Sequence, residues 1–389
     1  METSARRASP VVIAVAGLVA LAIAMGIGRF AFTPILPMMQ EDAGLSVTAG
    51  GWLASANYFG YLVGALSAIA LEVRATTVIR GALLSIAVVT AAMGLTSDFI
   101  AWLILRALAG VASAWVLVFV SAWSLERLAA ARRAALNGVV FAGVGAGIAL
   151  AGLGCLILMH LRATSGTAWI IFGVLSLLLS FAVWPVYASG SRPISPRSAT
   201  NPIDAVRHDN RGSIVLIFCY GVFGFGYIIP ATFLPAMAKQ IIPDPAVFGW
   251  SWPVFGAAAM LSALAVPGLR RLGANRRLWI AGHTLMAIGV VLPVFWTGIV
   301  AIILAALLVG GTLMLVTMAA IQEARDVTGA RARGLIAAMT AGFAIGQIVG
   351  PIAASYTVAS SGSFSTALLT AAALLAAGAW ALSRAKYAA

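Results

Sequence analysis

Two arginines stand in apolar surroundings, and they are the residues of this sequence best equipped for chemistry. Arg29 interrupts "GIGRFAFTPILP", residues 26–37, inside an apolar run from Val11 to Met39. Arg106 opens "RALAG" inside another such run. A guanidinium is always charged, and its planar fork matches a carboxylate with two parallel hydrogen bonds. Arg29 lies about ten residues from the end of its run, roughly 15 Å, too deep to reach the interface comfortably. The natural counter-ion is an acid, yet every acid lies in a loop or near a span end: Glu2, Glu41, Asp42, Glu72, Asp98, Glu126, Asp204, Asp209, Asp244, Glu323 and Asp326. An unpaired buried charge is expensive, so something must neutralise these two. A bound anion would do so; water or helix carbonyls are the bland alternative, and both stay open for both arginines.

Other polar groups recur at helical spacing. Asn57 and Tyr61 share one face, Tyr220 and Tyr227 another, Thr340 and Gln347 a third. Each alone is more often a packing residue than a ligand. Converging from several helices with Arg29 and Arg106, they are the candidate binding residues for a small-molecule substrate. No catalytic or metal constellation accompanies them. His160, His208 and His283 are scattered, and Cys155 and Cys219 make no paired motif. "GIGRFA" fits the loose glycine pattern of dinucleotide folds, but that reading needs a preceding strand and an acid about 20 residues on. No cofactor is implied.

The elements that must position these residues are membrane helices. Of 389 residues, 62% are hydrophobic and 9% charged, where a soluble domain carries about a quarter charged. The mean hydropathy is +1.03. The apolar runs are continuous over about 20 residues, as helices require and barrel strands do not. The formal net charge of +13 forms no single basic patch, which excludes a nucleic-acid reading. The basic N-terminus before an apolar run resembles a signal peptide, but the run is long enough to span and no cleavage site stands out, so it reads as an uncleaved first helix.

The pattern predicts twelve spans, at 11–39, 48–71, 77–95, 99–122, 135–159, 167–187, 213–238, 247–269, 278–297, 299–321, 334–358 and 364–383. With the N-terminus in the cytoplasm, 20 of the 24 Lys and Arg fall on the cytoplasmic side and only Arg162 and Lys239 outside. That asymmetry places both termini inside. Residues 188–212, rich in Ser, Pro and Arg, read as a flexible linker between six-span halves at 1–187 and 213–389.

The halves are related. "GIGRFAFTPILPMM" (26–39) lines up with "GFGYIIPATFLPAM" (224–237), which puts Tyr227 at the repeat position of Arg29. Similar offsets match Gly51 and Trp52 to Gly249 and Trp250, Glu126 to Glu323, and Gly143 and Gly147 to Gly342 and Gly346. The glycine rows spaced by four imply close helix packing. Two parallel six-helix halves around a midplane site are the architecture of a secondary transporter.

On these residues the sequence resembles the major facilitator superfamily along its whole length. "RALAG" looks like its motif of an arginine followed four residues later by glycine. "LRRLGANRR" (269–277) looks like a degenerate copy of its charged loop, and "GVGAGIALAG" and "GFAIGQIVGP" resemble its glycine-rich packing helix. "GIGRFAFTPILPMM" with "GWLASANYFGYLVGAL" is similar to the YbfB/YjiJ type. The resemblance implies a non-enzymatic transporter whose first and fourth helices line a central cavity. It also implies a conformational or proton-relay role for Arg106 as an alternative to substrate contact. The expectation is therefore an all-α protein of two pseudo-symmetric six-helix bundles in a bacterial inner membrane. It would act as a monomer that moves an organic anion by alternating access, driven by a gradient, with a proton as the candidate coupling ion. A proton-coupled exporter of drugs or metabolites is the alternative. Glu126 and Glu323 are the expected gating acids, pairing with Arg132, Arg133, Arg331 or Arg333.

Overall fold

The structure, a computed structural model, describes residues 9–68, 71, 73–188, 210–242, 244–269, 274–328 and 332–385. The linker expected at 188–212 falls almost entirely outside them, as do Arg331 and the side chain of Arg333.

The described residues form helices. They are α1 (Pro10–Asp42), α2 (Val47–Ser67), α3 (Ala75–Met93), α4 (Phe99–Ala130), α5 (Asn137–His160) and α6 (Ser165–Val183), then α7 (Asn210–Ile241), α8 (Ser251–Leu269), α9 (Asn275–Phe295), α10 (Ile299–Thr328), α11 (Ala332–Ser361) and α12 (Ser365–Arg384). Eleven are long and apolar enough to cross a membrane. The exception is α2, which is as long as several of them but carries Ser55, Asn57, Tyr58, Tyr61 and a series of glycines. Its polarity is explained by what it touches, described below. The helices match the expected spans within a few residues, except that α4 and α10 run on to Ala130 and Thr328.

Helix starts follow the local chemistry. Side-chain oxygens of Ser9, Ser46, Asp98 and Thr164 each accept a backbone N–H from the first turn of the next helix, which satisfies a donor the helix cannot. The Asp42 carboxylate accepts from the Ser165 hydroxyl at 2.7 Å and from the Ser165 backbone N–H, tying the end of α1 to the start of α6.

α1 and α7 are the most enclosed of the eleven apolar helices. Each packs on a glycine row of its own half, as the repeat predicts. A Cβ on Gly26 would fall 2.3 Å from backbone atoms of Gly147, and one on Gly346 would fall 2.4 Å from the Gly221 carbonyl oxygen. Only glycine lets α1 meet α5, and α7 meet α11, this closely. The halves join through α2 on α11, α5 on α8 and the second part of α1 on α7. Large apolar side chains such as Phe59, Val88, Leu178 and Leu261 are exposed on the periphery, as a bilayer-facing surface requires.

Candidate functional site

The site is built on an irregularity in α1. Residues Ala22–Phe30 form a π-helical segment between two α-helical stretches. The wider turn loosens the regular backbone ladder, and such segments are frequent at functional sites. Side chains from neighbouring helices take up its carbonyls. The Ser113 hydroxyl donates to the Ala24 carbonyl at 2.8 Å. The Asn57 amide donates to the Gly28 carbonyl at 3.3 Å and to the Arg106 carbonyl at 2.9 Å. Arg106 donates from Nη1 to the Gly28 carbonyl at 3.2 Å and from Nη2 to the Arg29 carbonyl at 3.0 Å.

These bonds distinguish the two arginines. Arg106 is 2% exposed, stacked on Phe32 at 4.9 Å, and both terminal nitrogens hold backbone oxygens. Arg29 is as deeply buried but is held differently. Its guanidinium lies 4.1 Å from the Tyr61 ring centre, 5.0 Å from Tyr58 and 5.1 Å from Phe30. The Tyr61 hydroxyl also reaches it, yet Nε and Nη2 are buried with no hydrogen-bond partner. Among the described residues neither arginine has a carboxylate within ion-pair distance. Nε and Nη2 form one edge of the guanidinium, the edge that grips a carboxylate side-on.

The second half supplies the facing wall. Tyr227 lies within Coulombic reach of Arg29, Tyr58 and Tyr61, and Gln347 donates to its hydroxyl. Phe343 stacks between Tyr227 (5.6 Å, 9°) and Tyr220 (5.0 Å, 26°). Tyr220 also lies near Thr317 and in reach of Tyr61.

Of the sequence candidates, Arg29, Tyr61, Tyr220, Tyr227 and Gln347 come together. Asn57 and Arg106 sit beside them but turn their terminal donors to backbone: Asn57 to the carbonyls of Gly28 and Arg106, and Arg106 to those of Gly28 and Arg29, with only its Nε left without a partner. Thr340 is exposed, and its hydroxyl bonds the Ile336 carbonyl one turn back. Sequence reasoning missed Tyr58, Phe30 and Phe343. Phe343 was findable, since it lies four residues before Gln347 on the same face.

A stripe of repeat-related contacts runs from this cluster to one end of the molecule. The Thr33 hydroxyl donates to the Ala231 carbonyl at 2.6 Å, and Glu41 pairs with Lys239 at 2.8 Å; both pairs are 198 residues apart. That is also the offset between Arg29 and Tyr227, so equivalent positions of the two halves meet along one line. Tyr58 and Thr232 add a hydroxyl contact at 3.2 Å. At the other end, Glu126, Arg132 and Arg133 are exposed. Glu323 is buried beside Arg276, whose backbone N–H it accepts. Its observed neighbour is therefore an arginine outside the expected set.

The sequence matches the family described as "Uncharacterised MFS-type transporter YbfB" over residues 21–383. The chain belongs to that family of major facilitator transporters. Membership makes it a multi-pass membrane transport protein, not an enzyme. A search of curated proteins finds no match. Among solved structures, the chain is similar to the nucleoside transporter NupG. A point mutant of NupG aligns with a TM-score of 0.78 at 16% identity, covering 95% of this chain and 99% of that one. A second NupG structure aligns at 0.72 and 14% identity, covering 97% and 99%. At such identities the likeness shows the fold alone.

Proposed function

We propose that this transporter is a secondary carrier of a small organic anion, a carboxylate held by Arg29. The carrying observation is the buried Nε–Nη2 edge of Arg29, which has neither a hydrogen-bond partner nor a carboxylate counter-ion among the described residues. A substrate carboxylate supplies both at once. The solved neighbours are nucleoside transporters, but an uncharged nucleoside would leave the Arg29 charge unbalanced.

In this proposal the chain has twelve spans in two six-helix halves, with residues 188–212 as a cytoplasmic linker. α2 is the twelfth span, polar because it faces the site. Both termini are cytoplasmic, in a bacterial inner membrane, and the monomer is the working unit. An ion gradient, a proton gradient foremost, drives alternating access. The Glu41 end is then the outer face, closed here by the α1–α7 stripe. Glu126 and Glu323 with their neighbouring arginines, Arg276 now included, are the inner gate.

The test is a melting screen of purified protein against libraries of organic anions, cations and neutral solutes. A ligand that binds the folded state raises apparent stability. Stabilisation confined to anions supports the proposal; stabilisation by cations or neutral solutes alone refutes it.

A further inference from the structure

Resting on the anion site just proposed, we infer that the substrate is an aromatic monocarboxylate. Two buried arginines in contact range could call for a dianion, but only one has an edge to offer. Nη2 of Arg106 is engaged by the Arg29 carbonyl and Nη1 by the Gly28 carbonyl, so the negative ends of two peptide dipoles already face that cation. Arg106 keeps only a lone Nε–H without a partner, whereas Arg29 is left with two adjacent unengaged nitrogens, Nε and Nη2, which make a fork. One fork balances one carboxylate. A second carboxylate, or a doubly charged phosphate, would find no second free guanidinium edge to hold it, because both terminal nitrogens of Arg106 are engaged.

The surroundings of the fork identify the rest of the ligand. Rings cover the guanidinium from Tyr61, Tyr58 and Phe30, which directs a ligand to the in-plane edge. From the other half, Tyr220, Phe343 and Tyr227 present a run of near-parallel rings. Tyr61 and Phe343 are only half-buried, so each keeps surface for a partner. Aromatic walls from both halves favour a flat ring, which stacks with a preference beyond its buried area. They offer few acceptors for the many hydroxyls of a sugar acid.

Calorimetric titration of the full-length purified chain with four probes decides this: benzoate, cyclohexanecarboxylate, terephthalate and benzamide. The expected order has benzoate tightest. Ring stacking should favour it over cyclohexanecarboxylate by about two- to tenfold, and charge should favour it over terephthalate and benzamide by at least about tenfold. Phe343→Leu should weaken benzoate more than cyclohexanecarboxylate and so narrow the gap between them, while Arg29→Gln should abolish binding of both. Equal affinity for the two monocarboxylates, both lost in Arg29→Gln, would overturn the aromatic assignment and leave the anion site standing. Terephthalate binding tighter than benzoate would overturn the single-charge assignment. Benzamide binding as tightly as benzoate, or benzoate binding unchanged in Arg29→Gln, would overturn the anion site itself. No benzoate binding at millimolar concentration would overturn the inference as well.

Discussion

Arg29 and Arg106 are the same residue type, equally buried, and their surroundings give them different work. Arg106 holds the Gly28 and Arg29 carbonyls, so it positions the residue that bears the free fork. Truncating it strands two buried acceptors, each at about 1–3 kcal/mol. Arg106→Ala should therefore lower the melting temperature markedly without any ligand present, and Arg106→Lys, with a point-like ammonium, should recover only part. Arg29→Ala should leave the ligand-free melting temperature unchanged or raised, because it removes a buried charge that has no counter-ion. Both arginines were legible in the sequence as costly intramembrane charges. Their separation was not, because the carbonyls that engage Arg106 come from a π-helical segment that spacing does not announce. The acids told a similar story. Glu323 was singled out from its repeat position, but its buried contact with Arg276 depends on how α10 and α9 pack.

At the scale of elements, the glycine rows were the most readable feature, since spacing by four maps directly onto a helix face. The structure puts them where α1 meets α5 and α7 meets α11. Gly26→Ala would drive a Cβ to 2.3 Å from the Gly147 backbone, where no flexible side chain can yield. Overpacking of this kind costs about 1–3 kcal/mol. Gly311→Ala is the control: nothing lies within 4 Å of its Cβ position, and alanine in a helix interior gains up to about 1 kcal/mol. Melting curves should shift down for the first and stay level or rise for the second. α2 was the harder element. The pattern that gives the other spans also gives it, as 48–71, with the loop charges supporting the count, yet it is the one long helix of the twelve described that falls short in apolarity. Its polar groups make sense once Asn57 is seen bonding α1 and α4, Ser55 bonding the Ile348 carbonyl of α11, and Tyr58 bonding α7.

Across the whole molecule, the two halves touch at repeat-equivalent positions. The sequence repeat supplied the offset of 198, but not that Thr33 and Ala231, or Glu41 and Lys239, would meet. That depends on how the halves pack against each other. If this stripe closes the outer face, joining its end should stop the cycle. A double variant, Glu41→Cys with Lys239→Cys, should lose transport when a cleavable bis-thiol reagent bridges the two thiols and regain it on cleavage; transport unaffected by the crosslink would remove the gating role. The orientation is separately testable. Reporter fusions after Asp98, Lys239 and Ser361 should read as external, and fusions after Arg133, Arg207 and Arg331 as internal, because the basic residues concentrate on one side. The central claim, that a substrate carboxylate completes Arg29, is tested most directly by calorimetry. A carboxylate that stabilises the wild-type protein is titrated into folded Arg29→Ala. Loss of a desolvated charged contact should weaken binding by about 2–5 kcal/mol, beyond detection at ordinary concentrations. Wild-type affinity in that variant would contradict the account.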